Sequence, residues 1–149
     1  MPKNLYFAAD HGGLKLKNHL INNFSTSFIK VDLGPYKLDQ LDDYPVYAFR
    51  LTDKILKDKN AFGVLICWSG IGMSIAANKV RGIRAALCTY AKQAEMARAH
   101  NNANVLVLGA DFSDTKKAVH LLKIFLKTDF SKDKRHHRRV RQICKKESL

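Results

Sequence analysis

Cys67, Ser69, Gly70 and Gly72 lie within six residues of one another, between an apolar run, Phe62 to Ile66, and a helical pattern from about Met73 to Val80. A glycine turn between a strand and a helix aims several backbone N–H groups at one spot, with the positive end of the helix dipole behind them. That spot suits a phosphate or an enolate-like oxyanion. Cys67 stands on its rim, where thiols react as thiolates; the competing reading is a buried, inert cysteine closing an apolar strand. His11 follows Asp10 beside Gly12-Gly13, and His100 precedes Asn101-Asn102. Two loop histidines and a thiol at one edge of a sheet suit proton transfer. Arg135 and Arg139 are four apart on one helix face, spaced to grip a single phosphate or simply to be solvated. His19 and His120 fall on polar helix faces. His136 and His137 lie among basic residues, suited to phosphate contact as much as to chemistry.

Gly70-x-Gly72 does not complete the dinucleotide fingerprint, because Ile75 occupies the third glycine position and the turn follows the third strand, not the first. A nicotinamide or flavin cofactor is therefore not expected. The three cysteines, Cys67, Cys88 and Cys144, are widely spaced, which suggests neither a disulfide framework nor a zinc site. Cys88 and Cys144 read as packing residues.

Five short apolar runs alternate with amphipathic segments and must position these groups. The strands are expected at Asn4–Ala9, Phe28–Leu33, Phe62–Ile66, Ile83–Cys88 and Val105–Leu108. Helices are expected over about Leu14–Phe24, Pro45–Lys57, Met73–Val80, Ala91–Ala99 and Asp114–Lys127, with a basic helix over Lys134–Lys146. Strands three to five are apolar almost throughout, as in a parallel sheet covered on both faces. The expectation is an α/β, doubly wound, Rossmann-like fold: a five-stranded parallel sheet in a single domain spanning 1–149. Ligands in such folds bind beyond the carboxyl ends of the strands, the edge to which Asp10-His11, Cys67-Ser69 and Asp111 are assigned.

The formal charge is +13, of which residues Ser131 to Leu149 supply eight Lys/Arg against two Asp/Glu. Nucleic acid, anionic small substrates and a generally lysine-rich composition are all compatible with this. No basic motif is interleaved with aromatics, so specific nucleic-acid binding is not expected. No apolar run approaches the roughly 20 residues of a membrane span, and a cytoplasmic location is expected.

Taken together, Ala9-Asp10-His11-Gly12-Gly13, Asp43-Tyr44-Pro45, Gly63 to Asn78, Gly82-Ile83-Arg84-Ala85, His100 to Leu106 and Arg135 to Val140 resemble the B-type ribose-5-phosphate isomerases and the related galactose-6-phosphate isomerase subunits. The resemblance implies an aldose–ketose isomerase acting on a sugar phosphate through a cis-enediolate, with neither metal nor cofactor. Cys67 matches the family's base. Met73 stands where other members carry a glutamate. Ser69 and His100 match positions implicated in opening the sugar ring, and Asp10 would hold sugar hydroxyls. His11, Arg135 and Arg139 match phosphate-binding positions. Backbone N–H groups of Gly70, Ile71, Gly72, Met73 and Ser74, with the side chain of Asn101, would stabilise the enediolate oxygen. Family members are dimers or tetramers whose active sites are built from two subunits, so a homodimer or homotetramer is expected.

Three residues depart from the family pattern. Trp68 replaces a small residue, usually glycine, after the cysteine. Asn102 replaces an aspartate, and Asp111 stands where many members have an arginine. The expected reaction interconverts ribose 5-phosphate and ribulose 5-phosphate. Isomerisation of a six-carbon sugar phosphate, such as allose 6-phosphate or galactose 6-phosphate, is the alternative. A nucleic-acid-binding α/β protein and a catalytically weakened regulatory subunit are the remaining ones.

Overall fold

The computed structural model describes residues 1–147. Five parallel strands, β1 (Asn4–Ala9), β2 (Ile29–Asp32), β3 (Phe62–Cys67), β4 (Ala85–Leu87) and β5 (Val105–Gly109), form one sheet in the order β2-β1-β3-β5-β4. The apolar runs of β1, β3 and β5 occupy the centre because only a strand covered on both faces can bury every side chain it carries. All of β5 and all but the first residue of β1 and β3 are buried.

Helices α1 (Leu14–Asn23), α4 (Ala91–Asn101) and α5 (Thr115–Lys127) cover one face. They enclose Leu5, Phe7, Val64, Ile66, Leu106 and Leu108 with Leu20, Ala94, Leu122 and Phe125. Helices α2 (Tyr44–Lys57) and α3 (Ile71–Asn78) cover the other, closing Ala8, Leu65, Val105 and Val107 beneath Leu51, Ile55, Met73 and Ala77. Each fully buried large aliphatic or aromatic side chain contributes about 1.5–3 kcal/mol, so the two apolar layers are the main force holding the sheet between the helices. Asp114 caps α5 by accepting the N–H of Lys117 at 2.8 Å. Among the described residues no helix is long and apolar enough to cross a membrane.

Three elements differ most from the sequence expectation, and β2 is one residue shorter at each end. Helix α3 begins at Ile71, two residues early, because Gly70 takes φ 78° and turns the chain directly into it. A Cβ at Gly70 would stand 2.4 Å from Leu87 Cδ1, so the left-handed turn and the close approach of β4 both require glycine. Strand β4 shrinks to Ala85–Leu87, since Asn78 and Asn104 side chains take the backbone amides of Ala85 and Arg84. Helix α4 extends to Asn101 and ends on Asn102 in the left-handed region, φ 47°. Asn tolerates that conformation better than most residues, and the Asn102 Oδ1 also accepts a bond from Arg98 at 2.9 Å.

The terminal helix α6 (Lys134–Lys146) lies against α4. Its entry is fixed by the Ser131 N–H donating to Ala99 O and by a 2.8 Å bond between His137 Nε2 and Ser131 O. Its end is fixed by Glu147, which accepts from the Gly82 N–H at 3.1 Å. Lys17 of α1 is wholly inside, 0% exposed, and bonds both carboxylate oxygens of Asp32 at 2.6 and 2.7 Å.

Candidate active site

Register brings the carboxyl ends of the three central strands level. Ala9 pairs with Ile66, and Cys67 pairs with Gly109. The residues that follow each strand, Asp10-His11, Trp68-Ser69 and Ala110-Asp111, therefore share one edge. Backbone bonds stitch them together, from Asp10 N–H to Ile66 O, Ala110 N–H to Cys67 O and Asp111 N–H to Trp68 O.

Cys67 is buried at the end of β3, and its Sγ accepts the N–H of Gly70 at 3.2 Å. The left-handed turn thus folds a backbone donor onto the sulfur. Ser69 is half-buried, and its Oγ accepts the N–H of Ile71 at 3.2 Å, closing the start of α3. The Ser74 N–H already donates to Gly70 O at 3.0 Å. Of the amides expected to meet an oxyanion, those of Gly70, Ile71 and Ser74 thus have partners within the turn. Gly72 and Met73 occupy the first helical turn, whose amides point out of the helix without an i−4 carbonyl.

Asp10 is 5% exposed and accepts the Gly13 N–H at 3.2 Å; burial pushes its carboxyl above the ordinary carboxylate range. A Cβ at Gly13 would lie 2.3 Å from Ile66 O, so the Gly12-Gly13 step is what lets α1 leave so close to β3. His11 Nδ1 lies 2.7 Å from Asp42 Oδ1, and the His11 backbone N–H donates to the same oxygen at 3.1 Å. That bond, ahead of the charges of Asp10, Asp42 and Asp39, holds the imidazole above its usual pKa. Asp10, His11 and Asp42 bring ligand atoms within 4.8 Å of one another. With Nδ1 and Oδ1 already bonded to each other, the group is a hydrogen-bonded network and not an open cation site.

Aromatic side chains wall this edge. The exposed indole of Trp68 stands edge-on to the His11 ring, with centroids 6.4 Å apart. The ring of Tyr44, at the start of α2, covers Gly72, where a Cβ would meet it at 2.7 Å. Asp111 follows in the adjoining loop with its side chain exposed, beside the turn and not in the core.

His100, Asn101, Arg135 and Arg139 are elsewhere. Asn104 O, three residues beyond Asn101, accepts the N–H of Gly63 at the start of β3. Cys67 lies four residues further along that strand, roughly 13 Å away at the usual rise. Asn101 and Arg139 line a cleft with Asn78, at the far end of α3 from Gly70. The expectation of two histidines and a thiol at one edge is corrected: α4 runs back across the sheet, so its last turn ends at the amino edge. There the imidazoles of His100 and His136 stack at 4.2 Å and 8°. His136 is buried, which, ahead of the nearby His100 charge, lowers its pKa. Arg135 is exposed and pairs with Asp133 at 3.2 Å.

Asp42 and Tyr44 line the carboxyl edge without having been singled out by residue type or spacing, while His136, read as suited to phosphate contact or chemistry, lies at the amino edge against His100. Asp42 sits in a run of loop acids with no periodicity to distinguish it. Tyr44 lies inside a motif that supported the resemblance but gave it no role of its own.

The model of the Ribose/Galactose Isomerase family matches residues 5–143. A probable ribose-5-phosphate isomerase B from Mycoplasma genitalium is 42% identical over 149 residues, covering 99% of this chain and 97% of the relative. The ribose-5-phosphate isomerase B of Mycobacterium tuberculosis is 35% identical over 137 residues, covering 91% and 85%. Among solved structures, ribose-5-phosphate isomerase B from Mycoplasma genitalium with bound ribulose-5-phosphate superposes with a TM-score of 0.94 over 99% of this chain and 98% of that one, at 42% identity. Type B ribose 5-phosphate isomerase from Trypanosoma cruzi gives 0.94 at 36% identity, covering 99% and 98%.

Proposed function

The chain belongs to the ribose/galactose isomerase family, and on that premise we propose that it interconverts ribose 5-phosphate and ribulose 5-phosphate. The observation that carries the reading is the turn after β3. A thiol with a backbone N–H aimed at its sulfur stands at a helix start, next to Asp10 and His11. Its near-identity in fold to an isomerase holding ribulose-5-phosphate supports a five-carbon substrate.

The reaction is redox-neutral and needs no external electron acceptor. Ser69 and His100 assist opening of the sugar ring. Cys67, as thiolate, removes the proton from C2. The C–H electrons form the C1=C2 double bond, and the aldehyde oxygen takes the negative charge. The Gly72 amide, and Asn101 supplied by a second copy, meet that oxygen. A hydroxyl proton passes from O2 to O1, and the sulfur returns its proton to C1, leaving the ketose. Asp10 orients hydroxyls, and His11, Arg135 and Arg139 hold the phosphate.

Because one chain separates Cys67 from His100 and the arginines, a second copy completes each site. Exposed Ile71 and Ile75 on α3, with exposed Tyr90, Met96 and Ile143 around the β4 edge, offer the apolar surface such an association needs. The chain then works as one isomerase domain in a homodimer or homotetramer. Cys67 and Cys88 are free thiols, as suits the cytoplasm.

The test is a coupled isomerisation assay. Cys67→Ala is expected to lower kcat by at least ~10²-fold while the protein still binds sugar phosphate. Near-wild-type turnover in that variant would remove Cys67 as the base.

A further inference from the structure

We propose that Asp42 is a positioning residue for phosphate recognition: its buried carboxylate fixes the His11 ring through Nδ1, so that Nε2–H faces the pocket as a donor to the substrate phosphate. The inference rests on the isomerase reading for the identity of the substrate, and on geometry for the rest. One oxygen of Asp42 takes both the Nδ1 and the backbone N–H of His11, at 2.7 and 3.1 Å. The side chain is therefore clamped relative to its own backbone. Asp42 is 6% exposed at its side chain and His11 is 26% exposed. With Nδ1 bonded to the buried carboxylate, Nε2 is the ring nitrogen left to meet a ligand.

The tautomer matters. A neutral imidazole whose single N–H goes to Asp42 presents a lone pair at Nε2, which repels a phosphate oxygen. The imidazolium presents a donor at both nitrogens. The groups facing His11 are Asp42, Asp10, Asp39 and the Trp68 ring. The three carboxylates all favour the imidazolium, and Asp42 acts through a direct bond. Tyr47 lies against the same carboxylate; its phenol is pushed up by burial and then by the Asp42 charge. The second Asp42 oxygen is buried without a hydrogen-bond partner among the described residues, so the carboxylate is held mainly through its first oxygen, by the ring and the backbone N–H of His11. A sugar phosphate carries close to two negative charges at neutral pH, and the arrangement favours a cation there, since the bond to Asp42 raises the His11 pKa against the opposing effect of burial.

Asp42→Asn keeps the size and an acceptor but removes the charge. The expected result is a KM for ribose 5-phosphate about tenfold higher at pH 8 and nearly unchanged at pH 6, where His11 protonates unaided. Inhibition by inorganic phosphate weakens in parallel, and kcat changes less than KM. Asp42→Glu recovers part of the loss. In the wild-type protein, ¹⁵N NMR of the His11 ring during titration with inorganic phosphate is expected to show Nδ1 protonated throughout and Nε2–H responding to phosphate. Unchanged KM and phosphate inhibition at pH 8 in Asp42→Asn would overturn the proposal. If that variant does not fold, a wild-type Nε2 that ignores phosphate would do the same. The phosphate titration needs no turnover, so a protein that binds phosphate through His11 but does not isomerise ribose 5-phosphate would defeat the isomerase reading alone.

Discussion

Trp68 fills the space that a side chain at Gly12 would need. A Cβ at Gly12 would stand 2.6 Å from the indole Cγ and Cδ1, closer than real contacts allow. The large residue after Cys67 is thus matched by an absent one in the loop after β1, and the indole closes over His11 from one side. Gly12→Ala is expected to push the ring off its seat, at the ~1–3 kcal/mol typical of overpacking. As the only tryptophan in the chain, Trp68 reports this directly. Its emission should shift in Gly12→Ala, and the KM for ribose 5-phosphate should rise about tenfold, equivalent to ~1.4 kcal/mol. Unchanged emission and KM would mean the contact is not what holds the rim.

Removing the ring tests what it excludes. Trp68 is exposed at the rim and is not part of either apolar layer, so Trp68→Gly costs little stability. Opening the rim should raise kcat/KM for a six-carbon sugar phosphate relative to ribose 5-phosphate by about tenfold, the scale at which pockets discriminate one carbon unit. A ratio that stays constant would place chain-length selection elsewhere.

Much of this arrangement is legible in the order of residues alone. The apolar runs of β1, β3 and β5 identify the centre of the sheet, and the Gly70 turn follows from a strand meeting a helix. The parallel sheet also implies the return direction of α4, yet His100, taken with the thiol by residue type, falls at the opposite edge. Placing His100 requires knowing that a parallel sheet sends each helix back to the amino edge, opposite the end where Cys67 emerges. The contact between Asp42 and His11 was hidden, because it depends on a loop 31 positions further along the chain folding back onto His11. Lys17 offered no signal either: a lysine on an amphipathic helix reads as surface until Asp32 of β2 is seen beneath it.

That buried pair predicts a stability effect with an asymmetry. Asp32 is the only carboxylate bonded to the Lys17 ammonium in the described residues, and it also accepts the Gly34 N–H at 2.9 Å. Asp32→Ala leaves an ammonium inside the protein without a counter-charge and should cost about 3–5 kcal/mol in urea unfolding. Lys17→Met leaves Asp32, whose side chain is 29% exposed, able to reach water and should cost less. Equal losses would argue against a desolvated ammonium.

The stacked His100 and His136 make the α4–α6 contact sensitive to acid. His136 has its pKa lowered by burial and by His100, with Arg135 and Arg139 acting the same way and Asp133 opposing. Its folded value therefore lies below the unfolded value near 6.5. The unfolded chain binds the proton more readily, so this contribution is intact above about pH 6.5 and is lost as pH falls below it. The melting temperature should drop between pH 7 and pH 5.5, and less so in His136→Phe, which keeps a ring against His100 without titrating. Identical pH profiles for the two proteins would assign the acid sensitivity to other groups.

The division of the candidate residues between two sheet edges leads to the last prediction. Cys67 lies at the carboxyl edge of β3, while Arg139 lies in the cleft with Asn78 and Asn101 at the amino edge. If two copies join so that each supplies what the other lacks, a dimer holds two sites, each with Cys67 from one chain and Arg139 from the other. Chains carrying Cys67→Ala and chains carrying Arg139→Ala are each expected to be severely impaired alone. In a mixed dimer one site inherits both lesions and the other inherits neither. After refolding an equimolar mixture, half of the dimers are mixed and half of their sites are intact, so activity should return to about a quarter of wild type by C2 symmetry. A site contained within one chain gives no such recovery, because every chain in the mixture then carries a lesion in its own site. Recovery that appears only on mixing therefore establishes the shared site, and a mixture no more active than its two components rules it out.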